Sequence, residues 1–434
     1  MKIPAFDTQN ADFRKRWQAF LQNPGRLEEV AAQAKAIIEE VRKKGDAALL
    51  RLTRDLDGFP ASGMESLVVD QDACRDAWAS LSPDMQEALA LASERIASFH
   101  RREAQALSSW RMQDEYGNVL GQEIRPLERV GIYAPGGRAA YPSSVLMNAI
   151  AAQVAGVEEI YVATPAPQGA PRSEVLAACH LAGVKRVFLL GGAQAIAALA
   201  LGTATVPRVD KITGPGNAWV VAAKKLLFGE VGLDAPAGPS EVAVVADGSS
   251  SPAWAAWDLL AQAEHDPEAR VFLLSPDARW MSSVQKHLEE ALPSLPRREI
   301  IGASLENSAL ARTQDVEEAL ALANDIAPEH LVLALAEAEK WLSSVRHAGA
   351  VFLGAASVQA LGDYLAGPNH VLPTAGAARF ASALSVMDFV KRLSVVSLSQ
   401  AGAWALSPQG ALLARAEGLE AHARAMEARL QDLP

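Results

Sequence analysis

The sequence predicts an α/β protein: two Rossmann-like, incompletely doubly wound α/β domains, with a helical N-terminal arm and a helical C-terminal tail. Three observations carry this expectation. From position 129 short apolar strands run into Gly/Pro turns, "RVGIYAPGG", "EEIYVATPAP", "VKRVFLLGGAQ" and "VDKITGPGNAW", with Ala-rich stretches between them. A second cycle of the same texture opens at "SEVAVVADGS" (240–249). Both ends of the chain have helical periodicity instead. Strand-turn-helix repetition builds a parallel sheet, and such sheets bind ligands at the carboxyl ends of their strands.

In chain order, "GRLEEVAAQAKAIIEEVRKKGDAALLRLTRDLDG" (25–58) places Val30, Ala34, Ile37, Ile38 and Val41 at helical spacing, with charges opposite. A second helical stretch covers 83–107. "WRMQDEYGNVLGQEIRPL" (110–127) reads as a hairpin turning at Gly117-Asn118. The first α/β cycle follows, and within it 187–207 is apolar enough to consider as a membrane span. Its Gly-Gly pair, Gln194 and Pro207 suggest a buried strand, a turn and a core helix, because such interruptions are poor in lipid. The second cycle runs through the helix holding Gln262, the strand "ARVFLLS" (269–275), "TQDVEEALALANDIAPEHLVLAL" (313–335) and the strand "AGAVFLG" (348–354). After about position 380 the chain returns to helix and ends in a tail.

At 434 residues the chain exceeds one typical domain, and with half its residues hydrophobic and 21% charged it can bury a large core. A net charge of −11 without a Lys/Arg cluster argues against a nucleic-acid partner. Cys74 and Cys179 are isolated, so neither a disulfide framework nor a thiolate metal site is suggested. The opening "MKIPAFDTQNADFRKRW" lacks the apolar stretch of a secretion signal, and a soluble cytoplasmic protein is expected.

Four stretches could carry chemistry. In "DLLAQAEHDPEA" (258–269), a helix would put Gln262 and His265 on one face near Asp258 and Asp266, with Glu264 turned away. Two ligands from one helical turn hold a metal rigidly, and imidazole suits zinc. A helix ending before Pro267 accounts for His and Asp there equally well. In "NDIAPEHLVLAL" (324–335), Glu329 and His330 precede an apolar strand, as an acid/base pair or as a solvated turn. Asp363 and His370 lie in the irregular loop "GDYLAGPNHVLPT" (362–374), and in "AEGLEAHARA" Gly418 breaks the helix between Glu417 and His422. His100, His180, His287 and His347 occupy ordinary solvated or packed contexts. The turns 133–144, 191–198 and 214–219 could receive phosphate oxygens, but none matches G-x-G-x-x-G, and tight packing explains their glycines as well.

Taken together, "GIYAPGGRAAYPSSVLMN", "GGAQAIAALALGT", "VDKITGPGN", "AGPSEV", "DLLAQAEHDP", "APEHL", "GDYLAGPNHVLPT" and "EGLEAHA", in that order between 131 and 423, resemble the histidinol dehydrogenase family. The resemblance implies NAD-dependent, zinc-dependent four-electron oxidation of L-histidinol to L-histidine through L-histidinaldehyde. It implies one Zn2+ per subunit on Gln262, His265, Asp363 and His422, with Glu329 and His330 as the acid/base pair. Ser240, His370 and Glu417 would contact substrate together with the metal ligands and His330, and Tyr133, Gln194 and Asn217 would contact NAD. Family members are homodimers whose tail crosses to the partner, so Glu417 and His422 would complete the neighbouring site. The expected division is an arm (1–27), a discontinuous catalytic domain (28–132 and 241–383), an NAD domain (133–240) and the crossing tail (384–434). Zinc on that donor set keeps about one positive charge and could chelate the imidazole and free amine of histidinol, so activity is expected to rise toward alkaline pH. A paralogue oxidising another primary alcohol, such as a sulfonated diol, should lack the pair Glu417 and His422. A purely structural metal protein would favour closed Cys/His sets and need no "PEH".

Overall fold

The apolar strand runs assemble into two six-stranded sheets in a computed structural model that describes residues 3–21, 27–136, 141–167, 169–235 and 238–430. The first sheet has the order Val68–Val69, Arg186–Phe188, Glu159–Ala163, Arg129–Tyr133, Lys211–Thr213, Gly232–Leu233. It is parallel except for its first pair. The second has the order Ala5–Asp7, Ala309–Arg312, Arg270–Ser275, Glu241–Ala246, His330–Ala334, Ala350–Leu353 and is parallel throughout. In each, the chain lays strands to one side of a central strand and then returns to its other side. The two switch points lie between Arg129–Tyr133 and Lys211–Thr213, and between Glu241–Ala246 and His330–Ala334. Every residue of these last two strands is buried, which is why they read as continuous apolar runs rather than alternating ones.

The long helical stretch at 25–58 is two helices, Leu27–Lys44 and Asp46–Leu56. Gly45 separates them at φ 52, a conformation that residues with a Cβ rarely adopt. Helix Pro83–Ala104 starts as the sequence suggests, with Pro83 in its first turn and the Ser82 hydroxyl accepting the Met85 amide. The hairpin forms from Trp110–Gln113 and Val119–Pro126. The apolar stretch at 187–207 divides into the end of a strand and helix Gly192–Leu201, and among the described residues no helix is long and apolar enough to cross a membrane.

Packing corrects the expected division of the chain. Residues 28–109 and 129–132 go with the first sheet, not with 241–383, while the hairpin at 110–126 joins the tail strand at 390–397 in a third, three-stranded sheet. Strands Val68–Val69 and Arg129–Tyr133 are part of the first sheet, and Ala34, Ile38, Leu49 and Ile96 share one core with Ile132, Val162 and Ile212. The apolar stripe of Leu27–Lys44 is buried against helices Gly192–Leu201 and Ala218–Leu227, the nearest apolar cover. The arm is not purely helical either. Ala5–Asp7 is an edge strand beside Ala309–Arg312, and helix Phe13–Leu21 follows it; residues 22–26 lie outside the described residues. Phe6, Trp17 and Phe20 cluster with Phe272, which fastens the arm to the second sheet. The tail likewise opens with a strand, Val390–Ser397, antiparallel to Val119–Pro126, before helices Gln400–Ala416 and Glu420–Glu427.

Candidate functional site

At the amino edge of the second sheet, helix Val316–Ile326 ends on Ala327 in the left-handed region, and Pro328 turns the chain into the strand that begins at His330. This delivers Glu329 and His330 next to Glu241, which opens the neighbouring strand. The Glu241 amide donates to Glu329 Oε2 at 2.8 Å, and His330 Nδ1 lies 3.1 Å from the Glu241 carbonyl. A carbonyl only accepts, so Nδ1 carries the proton and Nε2 keeps its lone pair. That lone pair faces Asp363, whose Oδ1 is 3.9 Å away.

Asp363 lies within helix Gln359–Tyr364, not in a loop as the sequence suggested; four residues of helix are enough to bring Gln359 over it. Buried Gln359 donates to Asp363 Oδ2 at 3.0 Å. His370 Nδ1 donates to the Asp363 carbonyl at 2.9 Å, which leaves its own Nε2 free. Gln262 occupies the last turn of helix Pro252–Ala263, and His265 follows just past its end, its amide bonded to the Gln262 carbonyl at 3.2 Å. Both amide atoms of Gln262 are buried and lack a partner among the described residues. Asp258, one turn earlier on the helix, is also buried and forms no hydrogen bond or ion pair among the described residues. Ser240 directly precedes the Glu241 strand at the same edge.

Burial sets the protonation of this cluster. It pushes His330 down to about 3 and His370 down to about 4, and it lowers His265, with Arg297 adding to the effect. All three imidazoles are therefore neutral near pH 7. Burial raises Glu329 well above the carboxylate range, and the neighbouring Glu241 and Asp363 carboxyls raise it further against the Glu241 amide bond. Glu241 is raised to about 7 by burial, against Arg270 and the Ala375 amide, and Asp363 to about 6 by burial, against Gln359. The 3.5 Å approach of His330 Nδ1 to Glu329 Oε2 is thus a contact between neutral groups, not an ion pair.

Glu417 and His422 stand apart from this cluster. They are exposed in the tail, on either side of Gly418 (φ 78), where one helix stops before the next begins. Among the described residues, no three His, Cys, Asp or Glu side chains of the single chain are grouped to hold a metal.

Tyr133, Gln194 and Asn217 lie at the carboxyl edge of the first sheet. The Tyr133 hydroxyl accepts the Gly192 amide at 3.2 Å. Gln194 donates at 3.1 Å to Asp57 Oδ2, which also accepts the Gly191 amide at 2.9 Å. The Asn217 side chain caps helix Ala218–Leu227 by accepting from Trp219 and Val220. Gly214 has φ 110, and a Cβ there would run into the Tyr133 carbonyl. Its carbonyl accepts from Lys224 at 2.6 Å, and its amide donates to Asp234 at 2.7 Å. Of the turn at 133–144, residues 137–140 lie outside the described residues. The polar cluster of the second sheet, by contrast, occupies its amino edge, opposite the carboxyl edge at which the sequence predicts ligands.

Sequence reasoning missed Glu241, Gln359 and Asp57. Glu241 had a usable signal, a carboxylate opening an otherwise apolar strand. Asp57 had none, because its partners lie more than 130 positions away.

A sequence profile described as histidinol dehydrogenase matches residues 22–430. Histidinol dehydrogenase of Chromobacterium violaceum is 51% identical over 427 residues, covering 97% of each chain. That of Aromatoleum aromaticum is 50% identical over 432 residues, covering 99% of this chain and 98% of its own. The crystal structure of histidinol dehydrogenase from Elizabethkingia anophelis superposes with a TM-score of 0.91 at 34% identity, over 99% of this chain and 98% of that one.

Proposed function

The chain belongs to the histidinol dehydrogenase family, oxidoreductases of histidine biosynthesis, and from that premise we propose that it oxidises L-histidinol to L-histidine through L-histidinaldehyde, with NAD and one Zn2+ per subunit. The observation that carries the metal is the orphaned Gln262 amide. Leaving a buried polar group unpaired costs about 1–3 kcal/mol, which a cation on Oε1 would offset. Gln262 stands in the last turn of the helix ending at Ala263, and the carboxyl end of a helix favours nearby positive charge. Gln262, neutral His265 and the Asp363 carboxylate, completed by His422, form a donor set that zinc accepts.

When bound, zinc orients the amino alcohol and NAD supplies the hydride acceptor for both oxidations. His330 Nε2 takes the hydroxyl proton, while Nδ1–H stays on the Glu241 carbonyl and holds the ring in place. Glu329, once it has given up the proton that burial holds on it, takes a proton from the water that adds to the aldehyde. A carboxyl raised by burial is a stronger base once ionised, which suits that step. Ser240 and His370 contact the substrate from the same edge, and Tyr133, Gln194 and Asn217 serve the cofactor.

His422 and Glu417 reach a site only from a second copy of the chain, in a homodimer. The tail's exposed apolar residues, among them Leu412, Leu413 and Leu398, support such a partner. The test is the NADH formed per histidinol consumed. Two, abolished by a chelator and restored by Zn2+, is expected; one would mean that oxidation stops at the aldehyde, and indifference to the chelator would reject the metal.

A further inference from the structure

We propose that His100 is a positioning residue for the substrate loop: its Nε2 accepts a hydrogen bond from Asn369 and thereby holds the neighbouring His370 in place. The inference rests on the reading of His370 as a substrate contact.

His100 is fully buried on helix Pro83–Ala104, and Asn369 is buried in the loop that follows Asp363. The surroundings decide how the Asn369 amide is oriented. The Met147 carbonyl, which can only accept, is 2.7 Å from Nδ2, and the Val371 amide, which can only donate, is 3.0 Å from Oδ1. One Nδ2 hydrogen therefore goes to Met147 and the other points at His100 Nε2, 3.2 Å away. Nε2 must then be the unprotonated nitrogen. The ring proton sits on Nδ1, 2.6 Å from Glu103 Oε2, and that oxygen also accepts the Val386 amide at 3.4 Å. Every polar atom of the His100 ring and the Asn369 side chain is used, and the two roles of the imidazole cannot be exchanged without leaving a buried donor against a donor.

The consequence for the site follows from where these partners lie. Met147 belongs to helix Pro142–Ala155 of the first domain, and Leu365 and Val371 pack on the same core. His370 is tied through the Asp363 carbonyl to helix Gln359–Tyr364, which packs against helix Pro252–Ala263 of the second domain. The loop thus spans both domains, with Asn369 as its anchor on one side and His370 on the other. Loss of the acceptor on His100 frees one Asn369 hydrogen in a dry environment and slackens the anchor beside His370.

Two substitutions separate this role from general stability. His100→Gln keeps an acceptor near the position of Nε2, and His100→Asn keeps only a donor near Nδ1. Both should lower Tm. His100→Asn should raise KM for histidinol about tenfold with kcat within about twofold and KM for NAD unchanged, whereas His100→Gln should stay near the parent KM. Equal KM shifts in both variants, or none in either, would overturn the proposal. If neither folds, Asn369→Leu tests the same bond from its other end and should produce the same rise in KM; a parent-like KM there overturns it. His370→Ala tests the underlying reading on its own. An unchanged KM for histidinol there would remove the substrate contact itself, while a raised one leaves the His100 comparison to decide.

Discussion

In the first sheet, Tyr133, Gln194 and Asn217 follow the carboxyl ends of their strands, where helices begin; in the second, Glu241, Glu329 and His330 stand at the amino ends, where helix Pro252–Ala263 finishes with Gln262. Both sheets are wound the same way about a central strand. What differs is the end of the helix dipole that each edge presents. A carboxyl edge collects helix N-termini and their unpaired amides, which favour anions. An amino edge collects helix C-termini and their carbonyls, which favour cations. One winding thus gives two edges of opposite electrostatic character, amide-rich where the first sheet meets its helix N-termini and carbonyl-rich where the second sheet meets its helix C-termini. The first sheet already holds an anion of its own: the Asp57 carboxylate sits on the Gly191 amide at the start of helix Gly192–Leu201.

The largest expected effect concerns how the amino edge is completed. His330→Ala and His422→Ala should each lose activity by about 10²–10⁴-fold, and a mixture refolded together should regain up to about a quarter of the parent activity. Recovery arises because one of the two sites in a mixed dimer combines an intact body with an intact tail. No recovery, with mixed dimers confirmed by mass spectrometry, would mean that each tail serves its own chain.

Gln359→Leu sharpens the contrast between the edges. It removes the donor on Asp363 Oδ2, so zinc affinity measured against a fluorescent chelator should fall about 10–100-fold while KM for NAD holds. An equal loss in NAD binding would mean that the edges are not independent. Glu329→Gln should slow oxidation of the aldehyde more than oxidation of the alcohol when each substrate is supplied separately; equal slowing would reject its assignment to the water step.

The smallest effect lies at the carboxyl edge. Burial raises Asp57 to about 6, against its bonds from Gly191 and Gln194. An acid raised on folding is stabilising when protonated, and that contribution is lost as pH climbs through about 6. Asp57→Asn should therefore compare better with the parent at pH 8 than at pH 5 in thermal melts, by about 2 °C or more. The same difference at both pH values would remove the buried charge from the account.

Much of this arrangement was legible in the residues. The strands and their turns, the split of 187–207, and the break at Gly418 follow from local patterns of apolarity and backbone freedom, which act over a few residues. The strand Val390–Ser397 was not legible, because both of its faces are largely exposed and leave no buried face to mark it, and its pairing partner lies some 270 positions earlier. The same limit hid the place of residues 28–132. Their helical stripe announces that something must cover it, not which sheet does so.

Residue type and order alone determined the α/β winding, the family, and the identity of the groups able to do chemistry, since these depend on short-range pattern. Which edge of each sheet those groups face, which nitrogen of His330, His370 and His100 carries the proton, and which carboxyls are held neutral were decided only by tertiary structure. The physical reason is that protonation and orientation are set by burial and by single acceptors such as the Glu241, Asp363 and Met147 atoms, brought from distant parts of the chain.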